Sequence, residues 1–282
     1  MLWRGGSETG NVEDRRGMGG RGGLVAGGGV GALILGLIAM FLGVDPRSMT
    51  QGGPSGQPGA ASAGVDSLPA SDELGHFVRQ VLTSTDRTWD AKFQQMGQTY
   101  EHPTLVLFSG GTDSGCGFAQ SAVGPFYCPR DHKVYIDLSF YDDLKQRFSA
   151  PGDFAEAYVI AHEVGHHVQN LTGISDKVSA AEQRGTKEQA NALSVRLELQ
   201  ADCFAGVWAK NNQEFTLQPG DVEEGLNAAS AIGDDRLQKE AQGYVVPESF
   251  THGSSAQRVR WFQQGYGSGD MNQCDTFNAR DL

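Results

Sequence analysis

The sequence has few positive charges, few aromatic side chains and only four cysteines. Lysine and arginine number 22 against 34 aspartate and glutamate residues, and the net charge is −12. The acidic excess falls entirely after residue 70, because residues 1–70 contain five basic and five acidic side chains. A domain this acidic, without a basic stripe, repels a phosphate backbone. This argues against nucleic acid as a partner.

Glycine is unevenly distributed along the chain. Of the 39 glycines, 19 lie in residues 1–70. Residues 45–70 are rich in proline, glycine, serine and alanine and cannot bury enough apolar area to fold, so we predict a flexible linker there. Residues 71–282 are enough for one buried core. The composition therefore predicts a glycine-rich lead followed by a single acidic domain.

One long apolar run lies in the glycine-rich N-terminal segment, residues 1–70. The 23 residues from Gly22 to Val44 contain no charge, and at about 1.5 Å per residue they cover the roughly 30 Å hydrocarbon core of a bilayer. A buried core helix is the alternative, but the three glycines at 27–29 would weaken it. Arginines are more frequent before the run than after it, which predicts a cytoplasmic segment 1–21, a transmembrane anchor 22–44 and a domain facing outside.

A cleaved signal peptide competes with this anchor. Ala61-Ser62-Ala63 has the small-x-small form of a cleavage site. It lies too far beyond the apolar run for a signal peptide, so an uncleaved anchor is favoured. We therefore expect a single-pass membrane protein with a cytoplasmic N-terminus and its domain facing outside.

The four cysteines fit that location. None of them belongs to a C-x-x-C pair, which argues against a thiolate zinc site, and four cysteines permit three pairings. Disulfides are the default in an oxidising compartment. We predict the nearest-neighbour pairing, Cys116 with Cys128 and Cys203 with Cys274.

Periodicity predicts a mostly helical domain with a small sheet near its front. Short β-branched and aromatic runs predict strands, and apolar residues at helical spacing, with candidate caps, predict helices. Asp153 is a candidate N-cap, and Asp221 with Glu224 a candidate capping box. The predicted strands are 105–108 and 134–138, and the predicted helices are 153–173, 188–208, 221–232 and 255–264.

The first of these helices carries His162-Glu163-Val164-Gly165-His166. Two histidines four residues apart project from one face of a helix, so both imidazoles can reach one metal ion. Glu163 is then placed to sit beside a metal-bound water as general base. A catalytic zinc site takes three protein ligands and keeps one position open for water. The spacing therefore predicts a zinc hydrolase centre, with an incidental amphipathic pattern as the alternative.

The second helix offers a third ligand. Glu198 and Asp202 are also four residues apart, and two carboxylates on one helix face repel each other unless a cation faces them. We predict Glu198 as the third zinc ligand and Asp202 as the acceptor that orients a ligand histidine through its other ring nitrogen. The reverse assignment and a solvated acidic face stay open at this stage.

Several blocks closely resemble the bacterial neutral zinc metallopeptidases of the YpfJ-like family. The resemblance covers 158–169 and 193–208, the segments around Cys116, Cys128 and Tyr135–Tyr141, and Asn11-Val12-Glu13-Asp14-Arg15-Arg16 before the apolar run. It implies a gluzincin-type peptidase with one zinc ion per chain. With the predicted single-pass anchor, it implies a protein of the bacterial inner (cytoplasmic) membrane whose domain lies on the periplasmic or extracellular side. The implied fold is a mostly helical, zincin-like α+β domain with a small antiparallel sheet.

The two-helix pattern is also similar to the HtpX-type membrane metallopeptidases, in which a glutamate four residues before an aspartate completes the site. Those proteins have a late His-Pro segment followed by an arginine. Here Thr251-His252-Gly253 precedes Arg258, with glycine where proline is usual. We predict His252 as a donor to the developing oxyanion, with a structural role at the final helix as the alternative.

These residues predict hydrolysis of a peptide or protein substrate by a zinc-activated water, with Glu163 moving the proton. An edge at 134–138 is a candidate for pairing with an extended substrate. Two other functions stay open: a catalytically idle, zinc-stabilised binding module at the envelope, and an amidase acting on cell-wall peptides. Glu163 favours an enzyme, because a purely structural site has no use for a base beside an open coordination position.

Overall fold

The computed structural model describes residues 1–17 and 71–282. The predicted anchor at 22–44 and the predicted linker at 45–70 lie outside the described residues. Among the helices of the described ranges, none combines the length and the hydropathy needed to cross a bilayer.

The described chain is mostly helical, with a small mixed sheet and a hairpin. The strands are β1 Val12–Asp14, β2 Thr104–Phe108, β3 Gly111–Ser114, β4 Gly117–Gln120, β5 Phe126–Cys128 and β6 Lys133–Asp137. The helices are α1 Glu73–Gln95, α2 Ser139–Gln146, α3 Asp153–Leu171, α4 Ile174–Glu182, α5 Lys187–Asn211, α6 Asp221–Ala231, α7 Asp234–Gln242 and α8 Ser255–Ser268. The α+β class is as predicted.

The main sheet is mixed, so the expected antiparallel sheet is wrong. Its strand order is β1-β2-β6-β5, with β1 and β6 parallel to β2 and only β5 antiparallel to its neighbour. The chain returns to β6 through the long connection that holds the hairpin β3–β4 and β5, and such a crossover lets parallel strands pair. Strand β6 is therefore internal. The edge strand on that side of the sheet is β5 and not the predicted 134–138.

The strand β1 belongs to the segment that the charge pattern predicts to be cytoplasmic. Val12, Glu13 and Asp14 pair with Leu105, Val106 and Leu107 of β2. Val12 is buried in the main core. Residues 1–17 therefore belong to the same fold as residues 71–282. The sequence did not predict this.

Helix α3 is largely buried, and α5 and α6 pack against it. Helix α8 packs mainly on α5 and reaches α3 through the Phe262 ring. The predicted bounds of α3, α5, α6 and α8 agree with the structure to within a few residues. The predicted caps do not form. Gly152 and Gly220 hold the cap positions of α3 and α6, and the Glu224 carboxylate accepts the N–H of Phe154 at 3.1 Å instead.

Helix α1 was not predicted, although its buried apolar residues are at helical spacing. Arg79, Thr85 and Asp86 are also buried, so the buried face mixes polar with apolar side chains. The hydroxyl of Thr85 donates to the backbone carbonyl of Leu82 at 2.7 Å, which satisfies it within the helix.

Both predicted disulfides are present. Cys116 bonds to Cys128 and joins the β3–β4 hairpin to the end of β5, and Cys203 bonds to Cys274 and joins α5 to the C-terminal turn. All four cysteines of the sequence are therefore paired.

Two glycines allow α5 and α8 to touch backbone to backbone. A Cβ at Gly265 of α8 would overlap the carbonyl oxygen of Cys203, and a Cβ at Gly206 of α5 would lie 2.7 Å from the backbone nitrogen of Tyr266. No side chain fits at either position without moving a helix. The spacing of these helices therefore depends on glycine.

We expect Gly265→Ala to lower the free energy of unfolding by about 1–3 kcal/mol or more, because an overpacked contact against rigid backbone must push the helices apart. Gly267→Ala in the same helix is the matched control. Its Cβ would meet nothing within 4 Å, and it should raise stability by up to about 1 kcal/mol through helix propensity. Urea unfolding measures both. Equal stability of the two variants would contradict this account of the contact.

Candidate metal centre

The site is formed where α3 crosses α5 at close range. A Cβ on Gly165 of α3 would lie 3.0 Å from the carbonyl oxygen of Ala201 and 3.1 Å from its Cα atom. Gly165 therefore lets the two backbones approach. His162 and His166 lie one helical turn apart on α3, and Glu198 and Asp202 lie one turn apart on α5, so the crossing brings the two pairs face to face.

Three of the predicted residues offer donor atoms around one point. The Nε2 atom of His162 lies 3.2 Å from Oε2 of Glu198, and Nε2 of His166 lies 3.3 Å from Oε1 of Glu198. One ligand atom from each residue lies within 4.8 Å of the others. Ligands held 2.0–2.1 Å from a zinc ion at tetrahedral angles are about 3.3 Å apart. The two separations between an imidazole nitrogen and Glu198 match this spacing, and the third donor pair lies within 4.8 Å.

The other ring nitrogens of both histidines have partners that orient them. The Nδ1 atom of His162 lies 2.8 Å from a carboxylate oxygen of Asp202, so it carries the proton and donates. The Nδ1 atom of His166 lies 2.9 Å from Oε1 of Gln169. The Gln169 amide nitrogen donates to the carbonyl of Leu197, which makes Oε1 an acceptor. Both Nε2 lone pairs are consequently free for a metal ion.

Asp202 is the centre of a fully buried polar network. Nε and Nη2 of Arg258 donate to its two carboxylate oxygens at 2.8 and 2.9 Å. The hydroxyl of Tyr158 donates to the same carboxylate. Asp202 thus faces His162 on its Nδ1 side and is saturated by other donors. This geometry favours Glu198 over Asp202 as the residue that faces a metal ion.

Charge pairing keeps these buried carboxylates ionised. Burial raises the pKa of Asp202, but the charges of Arg258 and His162 and their hydrogen bonds lower it to about 2. Burial also raises the pKa of Glu198, but His162 and His166 outweigh this effect and hold that pKa well below its ordinary value. The pKa of His162 would fall on burial, yet Asp202 and Glu198 raise it to about 10. The pocket therefore stabilises positive charge, whether a proton or a cation supplies it.

Glu163 is next to His162 on α3 and is only 8% exposed. Its negative charge acts on His166, which places the carboxylate within electrostatic reach of the donor set. His167, which follows His166 on α3, faces away from the donor set. Its ring nitrogens contact the Tyr127 hydroxyl and the Glu101 carbonyl at 3.0 and 2.6 Å.

His252 lies on the loop between α7 and α8, close to α5. A Cβ on its neighbour Gly253 would lie 3.2 Å from the side chain of Leu199. The buried Asp234 holds this loop, because one carboxylate oxygen accepts the N–H groups of Thr251, His252 and Gly253 at 2.7, 2.6 and 3.0 Å. Its other oxygen lies 3.2 Å from Nδ1 of His252.

The charge state of His252 follows from these neighbours. Its surroundings disfavour the charged ring, but the hydrogen bond with Asp234 and the negative charge of Glu198 raise its pKa above the ordinary value. The side chain is 42% exposed. It can therefore meet a ligand that approaches the metal donors from solvent.

The structure brings together all five residues that the sequence predicts around the metal and places His252 near them. Four further residues were not given roles from the sequence: Tyr158, Gln169, Asp234 and Arg258. Gln169 follows His166 by three residues, which is a helical spacing that could have suggested a partner. Arg258 and Asp234 are distant in sequence from every residue that they support, so no local pattern points to their roles.

A family model described as "Putative neutral zinc metallopeptidase" matches residues 1–277. The chain belongs to this family. Its membership supports zinc and peptidase chemistry at the family level, and the match includes the N-terminal strand as well as the metal donors.

Relatives within the neutral zinc metallopeptidase family cover most of the chain. The Escherichia coli K12 "Uncharacterized protein YpfJ" is 53% identical over 98% of this chain and 99% of its own length. The Mycobacterium bovis "Uncharacterized protein Mb2605" is 43% identical over 86% of each chain. No solved structure matches the chain.

We expect one zinc ion per chain in the purified protein, and we expect His166→Ala to lose it, because two ligands in place of three leave a far weaker site. His102→Ala is the matched control, since His102 is an exposed histidine that pairs with Asp90. Elemental mass spectrometry measures the metal in all three proteins. Equal zinc in the wild type and His166→Ala would rule out this donor set.

Proposed function

We propose that this protein is a zinc-dependent endopeptidase whose metal ligands are His162, His166 and Glu198 and whose general base is Glu163. The observation that carries the proposal is the three-ligand donor set with a glutamate beside it. Three protein ligands leave one tetrahedral position free, and a catalytic zinc site needs that position. A zinc ion bound there supplies a Lewis acid that polarises a peptide carbonyl and acidifies a water molecule.

The other steps are proton transfer and the orientation of the ligands, and side chains of the protein perform both. Glu163 accepts the proton of the attacking water and delivers it to the leaving amine. Asp202 and Gln169 hold the two imidazoles in the orientation that directs Nε2 toward the metal. Arg258 and Tyr158 keep Asp202 charged and fixed. None of these four groups has to move during the reaction, which is what preorganisation requires.

His252 is the proposed donor to the oxyanion. Since Nδ1 faces the Asp234 carboxylate, only the protonated ring has an N–H left on Nε2 for the substrate. The raised pKa of His252 supports that protonated form. Asp234 is then a positioning residue, because it orients the ring and the loop without facing the substrate.

The proposal includes attachment to the cytoplasmic membrane, with the domain on the periplasmic or extracellular side. The support is the charge-free run at 22–44 and the pairing of all four cysteines, since disulfides persist in oxidising compartments. The substrate is accordingly a peptide or protein segment outside the cytoplasm.

Glu163→Gln tests the enzyme directly. We expect the variant to keep its zinc and to lose peptide cleavage by about 10²–10⁴-fold, because the amide cannot accept the proton. Cleavage of a peptide library, with zinc content measured on the same samples, separates chemistry from metal binding. A wild type that holds zinc but cleaves nothing would favour the idle binding module. Cleavage of cell-wall peptides alone would favour the amidase.

His252→Gln tests the oxyanion role and its pH dependence. Because the protonated ring is the active form, wild-type kcat/KM should fall as pH rises through a His252 pKa above 6.5. The glutamine variant should lose about 10²–10³-fold in kcat with little change in KM. It should also lack this alkaline limb. Thr251→Ser is the matched control on the same loop. An unchanged pH profile in His252→Gln would assign the limb to another group and remove His252 from catalysis.

A further inference from the structure

The N-terminal segment 1–17 and the domain 71–282 form one folded unit. Strand β1 extends the main sheet at the edge of β2. The amide of Leu105 donates to the Asn11 carbonyl at 2.9 Å, and the amide of Arg15 donates to the Leu107 carbonyl at 2.7 Å. This pairing continues the sheet in register on the side opposite β5. The β2 edge is therefore an interaction surface whose partner is the start of the same chain.

Charged side chains form ion pairs at the end of β1. Arg16, two residues after the strand, donates to Asp14 of β1 and to Asp72, the N-cap residue of α1. Lys133 of β6 forms an ion pair with Glu13. Hydrogen bonds with Arg16 lower the pKa of both Asp14 and Asp72 below their ordinary values. Opposite charges on the segment and on the domain thus meet in pairs.

The residues before the strand reach two further parts of the domain. The ring of Trp3 packs edge-on against Phe77 of α1 at 5.1 Å. Its indole nitrogen donates to Asp153, the first residue of α3, at 3.0 Å. Leu2 exchanges two backbone hydrogen bonds with Thr216, at 3.0 and 3.3 Å. The whole segment, and not the strand alone, is therefore docked: it contacts α1, β2, α3 and the loop around Thr216 between α5 and α6.

A single crossing of a membrane between residues 17 and 71 would break every one of these contacts. It would leave the segment and the domain on opposite sides of a hydrocarbon core about 30 Å thick. Two helical crossings would need about 40 apolar residues, whereas the charge-free run has 23. The docked segment and the single-pass topology expected from the arginine distribution therefore exclude each other.

We propose that residues 1–17 and 71–282 lie in one compartment, on the same side of any membrane to which the protein is attached. The two disulfides assign that compartment to the oxidising side. The inference does not depend on the proposed peptidase activity, because it uses no residue of the metal centre. It depends on the geometry of the docked segment.

Cysteine cross-linking in the full-length protein tests the docking. Leu2 and Thr216 form an antiparallel bridge whose residues exchange both hydrogen bonds, and such pairs have Cα atoms about 5.5 Å apart, which suits a disulfide. Both residues are exposed. We expect Leu2→Cys with Thr216→Cys to form an intramolecular disulfide in the intact cell, detected by peptide mass spectrometry. The matched control is Leu2→Cys with Gln183→Cys, since Gln183 is an exposed residue at the C-terminal end of α4. This pair should remain reduced.

Labelling of intact cells with a membrane-impermeant maleimide tests the compartment. Ser7→Cys and Gln183→Cys each add one exposed thiol to a chain whose own cysteines are all bonded. Detergent-treated samples give the total thiol. We expect both positions to be labelled in intact cells, and in equal fractions; the absence of label at both would contradict the assignment to the oxidising side. Opposite labelling of the two positions, or no cross-link between positions 2 and 216, would overturn the proposal.

Discussion

The close approach of α3 and α5 at Gly165 and Ala201 sets the geometry on which the rest of the site depends. Each helix contributes two functional side chains one turn apart, and the two pairs face each other only because the backbones nearly touch. The 3.2 and 3.3 Å separations between imidazole nitrogens and Glu198 follow from that contact. A larger residue in the middle of the histidine motif would widen the gap, and the side chains could no longer converge on one ion.

The same contact creates a problem of charge, because it buries two carboxylates beside two imidazoles. An isolated buried carboxylate is costly, and Asp202 is completely buried. Arg258 compensates for it with two hydrogen bonds, and Tyr158 adds a third. A buried ion pair of this kind often adds little net stability, because the cost of removing two charges from water offsets their attraction. Here the network fixes the direction of the His162 lone pair.

The candidate metal donors stand out in the sequence because they repeat at helical spacing. His162 and His166, and Glu198 and Asp202, are local pairs whose shared face follows from 3.6 residues per turn. Tyr158 and Gln169 lie on α3 with the histidines, and Gln169 is at helical spacing from His166. Arg258 is 56 residues from Asp202, and spacing carries no information on such a contact. Strand β1 was not predicted for a different reason. Three residues with two acidic side chains have no strand signal, and they pair only because β2 provides the template.

The buried arginine of the network comes from α8, the last long helix of the described chain. A polypeptide is synthesised from its N-terminus, so the histidines and Asp202 emerge from the ribosome well before Arg258 does. Until then Asp202 has no guanidinium partner and the crossing of α3 and α5 holds an unbalanced charge. The network around Asp202 can therefore be completed only after nearly the whole chain has been made, and a chain truncated before Arg258 would leave that carboxylate without its guanidinium partner.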